Sequence, residues 1–135
     1  DGAGQPVGLT INSFASVSLA PPLVLWSLGS QSRYLEAFTQ ASHHAIHILA
    51  ASQQEWSNRF ASPNGERFAG IDWQSGLGGA PLLPGTIVTL EVANTSSQIA
   101  GDHHLFIGQV ARLSGIEAQA PLLYHAGGSA GLAGA

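Results

Sequence analysis

Residues 8–22, GLTINSFASVSLAPP, constrain the fold of this chain more than any other stretch. Small hydroxyl and amide side chains alternate with apolar ones, and a Pro-Pro pair then leads into the apolar run at 23–28. On a strand, residues two apart share a face. Thr10 and Asn12 therefore face one way, with Leu9 and Ile11 facing the other. Ser16 and Ser18 repeat the pattern, with Val17 and Leu19 opposite. One face can join a core while the other offers neutral hydrogen-bonding groups. Pattern alone reads as a half-exposed strand with polar residues outside, and a face turned to something planar and polar is the alternative.

At 135 residues the chain makes one domain with a core of its own. Lysine is absent, and with 9% charged residues and a formal net charge of −4 no basic stripe follows a phosphate backbone, so nucleic acid is not an expected partner. Cysteine is also absent, which removes disulfides, thiolate metal sites and a cysteine nucleophile together. That composition suits the cytoplasm, the expected location. No apolar run approaches membrane-spanning length, so no membrane partner is expected. So little charge leaves few ways to keep a large apolar surface in water, which points to a homo-oligomer.

Further along, residues 23–28 suit a buried strand, and Ser32 is placed to cap a helix over 33–41 with Leu35 and Phe38 as its buried stripe. Residues 43–50 read as a strand, with His43 and His47 on one face and His44 on the other. Ser52 and Glu55 have the spacing of a capping box, opening a helix that sets Trp56 and Phe60 one turn apart. Residues 66–85 read as an irregular excursion, 86–92 and 104–110 as central strands, and 119–125 as a last short strand. The glycine- and alanine-rich residues 127–135 read as a mobile tail. Two helices among six or more strands fit a closed or nearly closed β-barrel.

The motifs at 6–10, 13–18 and 21–22 resemble the signature of flavin reductase-like proteins. Phe60-Ala61, Arg67-Phe68-Ala69-Gly70, Gly79-Ala80-Pro81-Leu82-Leu83, Gly101-Asp102-His103 and Phe106-Ile107-Gly108-Gln109-Val110 follow in that family's order. The resemblance implies a mainly β fold, the FMN-binding split β-barrel of Greek-key type, over residues 1–126 with a flexible tail at 127–135. The helix and strand that precede these motifs in similar proteins would be lacking. It implies a homodimeric, NAD(P)H-dependent reductase passing hydride to FMN or FAD and supplying reduced flavin to a partner monooxygenase. The alternative is the same barrel binding FMN without turnover.

Without lysine, a flavin phosphate would be met by arginine, hydroxyls and backbone N–H groups. Ser30, Ser32 and Arg33 gather at the start of the first helix, where the resemblance implies contact with the FMN phosphate or ribityl chain. Thr10, Asn12, Ser13 and Ser16 are then the implied contacts to the ring and ribityl hydroxyls. His47 stands where similar proteins usually have asparagine, at the flavin edge. His103 and, more weakly, His125 are the implied nicotinamide contacts, with Asp102 holding the turn through backbone N–H groups. The Tyr-Arg pair that often follows His125 in the family is missing here. The HHxxH run at 43–47 invites zinc on a helix, but its apolar neighbours favour a strand and no metal site is expected. Gly127 to Gly131 matches GxSxG, yet a nucleophile elbow needs a following helix and a later histidine. No GxGxxG follows a strand, so any NAD(P)H would bind against the flavin rather than in a Rossmann unit.

Overall fold

The computed structural model describes residues 5–11, 13–62, 66–115 and 131–134, the last four by their backbone alone. In chain order these form β1 (Gly8–Ile11), β2 (Ala15–Leu19), β3 (Pro22–Gly29), helix α1 (Leu35–Gln40), β4 (His43–Ile48), helix α2 (Gln54–Ala61), the short β5 (Gln74–Ser75) and β6 (Pro81–Leu82), the long β7 (Val88–Ala100) and β8 (His103–Ser114), and β9 (Gly131–Gly134). Seven strands make one antiparallel sheet in the order β1-β9-β4-β7-β8-β3-β2, and β5 pairs with β6 apart from it. The expected strand at 119–125 lies outside the described residues.

β1 and β2 stand at opposite edges of that sheet, yet only residues 12–14 separate them. Four Cα–Cα steps reach at most about 14 Å. A flat sheet of this order would set its edges about 29 Å apart. The sheet therefore curls until its edges meet at this corner. Ser13 carries the β2–β3 pairing into the corner, its Oγ accepting the Ser27 N–H at 3.0 Å and donating to the Ser27 carbonyl at 3.3 Å. Side chains from both ends of the strand order accordingly share one core: Leu9 and Ile11 of β1 meet Val24 and Trp26 of β3, the neighbour of edge strand β2, with Ile46, Val92 and Phe106 in the same cluster. This is the mainly β architecture with two short helices expected of a split barrel.

At the centre of the core Trp26 stacks on Phe106 with centroids 4.6 Å apart and meets the Phe38 ring edge-on at 5.1 Å. His44 completes the cluster, edge-on to Trp26, Phe38 and Phe106. Its Nε2–H donates to the Phe38 carbonyl at 2.8 Å. The two faces of β4 separate as expected, with His44 against these rings and His47 on the other side, under Leu83. Phe38 is wholly buried and Leu35 packs beside it, which is the stripe expected for α1.

β1 also behaves as its alternation requires. Leu9 and Ile11 enter the core, while Gly8 and Thr10 turn to α2. A Cβ on Gly8 would lie 2.8 Å from Phe60 and 3.0 Å from Phe68, so glycine is what lets those rings lie on the strand. Phe60 and Trp56 share this second cluster with Leu49, Ile71, Leu83 and Trp73, as their one-turn spacing predicts.

Three expectations are corrected. The β2 alternation breaks at a bulge between Ser16 and Ser18, and on this edge strand Val17 and Leu19 are exposed rather than buried. The capping box expected at Ser52 is replaced by a single 3-10 turn at Ala51–Gln53, where the Gln53 side chain accepts the Ala50 N–H. Gly131–Gly134, read as tail, pair on one side with β1 and on the other with β4. Backbone hydrogen bonds need no side-chain pattern, so nothing in the composition of that segment announced it.

Burial pushes the His44 imidazole down from 6.5 to about 4; the Phe38 carbonyl opposes the shift and the neighbouring His43 adds to it. Folded His44 thus stays neutral where an unfolded histidine takes a proton. Stability is full above pH 6.5 and falls as pH drops towards 4, by about 3 kcal/mol. Urea unfolding across that window is expected to show this loss in the native chain and a much shallower dependence in His44→Gln.

Candidate functional site

The loop leaving β3 is built by short-range bonds and then tied to distant strands. The Ser30 N–H donates to the Asp102 carbonyl at 2.9 Å, which lays the loop on the β7–β8 turn. The Ser32 N–H returns to Gly29, and Ser32 Oγ accepts the Tyr34 N–H at 3.1 Å. Ser32 therefore caps a turn, not a helix. α1 begins at Leu35, two residues later than expected, and is six residues long. Any anion at this loop meets side chains and turn amides rather than the end of a long helix.

Beyond the turn, two guanidinium groups converge on Tyr34. Arg33 lies over the ring with its central carbon 4.9 Å from the centroid, and its Nη2 donates to the Tyr34 hydroxyl at 2.7 Å. Arg67 lies over the same ring at 4.8 Å. Its two Nη groups donate to the Gly8 and Ser62 carbonyls, each at 2.7 Å. Partial burial lowers the Arg67 pKa, with Tyr34 opposing the shift and the Arg33 charge adding to it. Half of the chain's four cationic residues thus meet at one tyrosine.

The β7–β8 turn adds the second half. Gly29 is in register with His103, so the turn histidine stands beside the start of the loop. His103 Nδ1–H donates to Asp102 Oδ1 at 2.8 Å, and both side chains are exposed. That hydrogen bond and the His103 charge hold the Asp102 carboxyl below its ordinary pKa, helped by its own backbone N–H. That bond leaves Nε2 as the other ring nitrogen of an exposed side chain, an acceptor when the ring is neutral and a donor when it is charged. Ser30 Oγ and His104 Nδ1 are buried with no hydrogen-bond partner among the described residues. A polar atom in that state costs about 1–3 kcal/mol until something meets it.

The sequence matches the family described as flavin reductase like domain over residues 1–133. The chain belongs to the flavin reductase-like family. It is 47% identical over 107 residues to the FMN reductase (NADH) SmoA of Agrobacterium fabrum, an alignment covering 79% of this chain and 61% of that protein. It is 37% identical over 129 residues to the reductase subunit HsaB of a flavin-dependent monooxygenase from Rhodococcus jostii, covering 96% of this chain and 66% of the relative. The chain therefore spans less than two thirds of the length of either relative. Among solved structures, nitrilotriacetate monooxygenase component B from Mycobacterium thermoresistibile superposes with a TM-score of 0.79 at 35% identity, over 87% of this chain and 65% of that one. The NADH:FAD oxidoreductase of Streptomyces globisporus, solved with NAD and FAD fragments, superposes with a TM-score of 0.72 at 33% identity, over 84% of this chain and 78% of that one.

Ser30, Ser32 and Arg33 follow one another on the loop, whose Ser30 end is bonded to the turn that carries His103. The other candidates are distributed. Thr10 Oγ1 donates to the Ser57 carbonyl of α2 at 2.8 Å, and Ser13 is engaged by Ser27. Ser16 is exposed on β2. His47 is buried, and its Nε2 accepts the Leu83 N–H at 3.0 Å, which places the ring proton on Nδ1. Asn12 and His125 lie outside the described residues. Among the described residues no three metal-ligating side chains cluster.

Tyr34 and Arg67 are the residues that the sequence pattern did not single out. Arg67 sits in the RFAG motif, but its partners Gly8 and Tyr34 lie 59 and 33 positions away and no spacing rule reaches them. Glu91, almost fully buried, was missed likewise; it accepts the Leu77 N–H at 2.9 Å and faces Arg112 at 3.4 Å, pinning the 76–79 turn onto β7. Removing the Ser13 hydroxyl tests its place in the barrel corner. Ser13→Ala leaves the Ser27 N–H and carbonyl without that partner and is expected to lower urea-unfolding stability by about 1–2 kcal/mol.

Proposed function

We propose that this chain is an NAD(P)H-dependent flavin reductase that passes hydride to FMN or FAD and supplies the reduced flavin to a partner monooxygenase. The observation that carries this reading is the convergence of the Ser30–Tyr34 loop and the Asp102-His103 turn, joined by the Ser30 N–H to the Asp102 carbonyl. On this reading the loop offers hydroxyls and a guanidinium to a phosphate, and the turn it is bonded to offers an imidazole. Names of relatives support the chemistry, since SmoA is an NADH-linked FMN reductase and the Streptomyces globisporus protein an NADH:FAD oxidoreductase. HsaB supports the role as a monooxygenase component.

The residues present fit a phosphate-bearing flavin. Ser30 Oγ is a buried hydroxyl without a partner among the described residues, and Arg33 stands exposed three positions on. Ser30, Ser32 and Arg33 would hold the phosphate and ribityl chain by charge-assisted hydrogen bonds. Asn12 and Ser16 are proposed for the ring and ribityl hydroxyls, with Thr10, Ser13 and His47 contributing through whatever lone pairs their protein partners leave. When bound, the flavin supplies a ring that accepts a hydride, and the nicotinamide supplies that hydride. What the chain's own residues do is place the two rings face to face and exclude other geometries. No strong general acid or base is required of them. His103, oriented through Nδ1 by Asp102, would present Nε2 to a phosphate or carboxamide oxygen of the nicotinamide nucleotide, with His125 as a second contact. The exposed Val17 and Leu19 on edge strand β2 fit a homodimer, and the absence of cysteine fits the cytoplasm.

Purified chain with FMN is expected to consume NADH in a flavin-dependent reaction, followed by loss of NADH absorbance. His103→Phe is expected to raise the KM for NADH about tenfold or more while leaving FMN binding unchanged. The second reading, a barrel that binds FMN without turnover, draws on His47, whose Nε2 is held by Leu83 at the position where similar proteins usually carry asparagine. Anaerobic NADH separates the two: bound FMN that bleaches supports the reductase, and FMN that stays yellow supports the binding module.

A further inference from the structure

Arg67 belongs to a motif that the proposed chemistry leaves without a role, and its geometry gives it one. Its two Nη groups are held by carbonyls on different elements, Gly8 of β1 and Ser62 at the end of α2. Two anchors on one rigid fork fix the plane of the guanidinium as well as its position. The Tyr34 ring lies against that guanidinium at 4.8 Å, and Arg33 lies over the same ring while bonding its hydroxyl. At its other end the loop is held by the Ser30 N–H on the Asp102 carbonyl of the β7–β8 turn. Arg67 thus ties the Tyr34 end of the loop to β1 and α2, while Asp102 holds its Ser30 end.

We propose that Arg67 is a positioning residue for phosphate recognition, holding the Tyr34 ring and through it the Arg33 guanidinium at the edge where the flavin phosphate is bound. This rests on the reading of the Ser30–Tyr34 loop as the phosphate site. The placement has an electrostatic consequence as well. Two like charges over one ring repel each other, and an anion beside them relieves that repulsion. A lysine at position 67 would keep the charge but has no plane on which to lay the ring, and it cannot reach two carbonyls in a fork.

The test compares FMN with riboflavin, which has the same ring and ribityl chain and no phosphate. Fluorescence titration of the native chain is expected to show FMN bound about tenfold or more tighter than riboflavin. Arg33→Gln should abolish that preference. Arg67→Gln and Arg67→Lys should each reduce it to about threefold or less with riboflavin affinity little changed, and Arg33→Gln combined with Arg67→Gln should do no more than Arg33→Gln alone. Tyr34→Leu keeps both carbonyl bonds of Arg67 and removes only the platform, so it should match Arg67→Gln even where that variant folds poorly. Equal losses for FMN and riboflavin in the Arg67 and Tyr34 variants would mean a structural role only and overturn the proposal. A preference lost in Arg33→Gln but kept in the Arg67 and Tyr34 variants would also overturn it while leaving the phosphate site standing. No preference in the native chain would bring down the phosphate site itself, and the role of Arg67 with it.

Discussion

Everything in this fold depends on a connection too short for a flat sheet. Residues 12–14 must join β1 to β2, and the ladder places those strands at opposite edges. Curling is the only way to satisfy both, and the curl decides what each face of β1 meets. Its apolar residues close the aromatic core around Trp26, while its other face takes α2, with Gly8 leaving room for Phe60 and Phe68. The same approach brings the Gly8 carbonyl within reach of Arg67. A barrel corner and the proposed phosphate edge are therefore consequences of one geometric constraint.

The chain is poor in charge, and it spends its cations with economy. Arg59 links Glu55 on its own helix to the carbonyls of Arg67 and Ala69, which folds the RFAG turn against α2. Arg112 faces the buried Glu91. Arg33 and Arg67 share Tyr34, each lying over its ring, and Arg33 also donates to its hydroxyl. The buried histidine goes the opposite way, for His44 is neutral among rings and contributes through packing and a single hydrogen bond.

Much of the secondary structure was legible because it is periodic. Period two separated Leu9 and Ile11 from Thr10, and His44 from His47. Helical spacing set Leu35 with Phe38 and Trp56 with Phe60. Where periodicity meets an edge it fails, as at the β2 bulge that leaves Val17 and Leu19 in solvent. It is silent where only backbone is at stake, as in Gly131–Gly134. The start of α1 was misplaced because Ser32 satisfies a turn N–H as well as it would a helical one.

The candidate site divides along the same line. The loop after β3 and the Gly-Asp-His turn were singled out by the resemblance to flavin reductase-like proteins, not by spacing. Their meeting was not legible, because it follows from β3 lying beside β8. Nor did any local rule show that Thr10 would be engaged by Ser57, or that Arg67 would lie under Tyr34. By itself the sequence determined the periodic strands, the two helices, the family and the inventory of polar groups, all carried by neighbours along the chain. Only the tertiary structure decided which of those groups converge and which are consumed by the protein, because such contacts depend on the order of strands in space rather than on spacing in sequence.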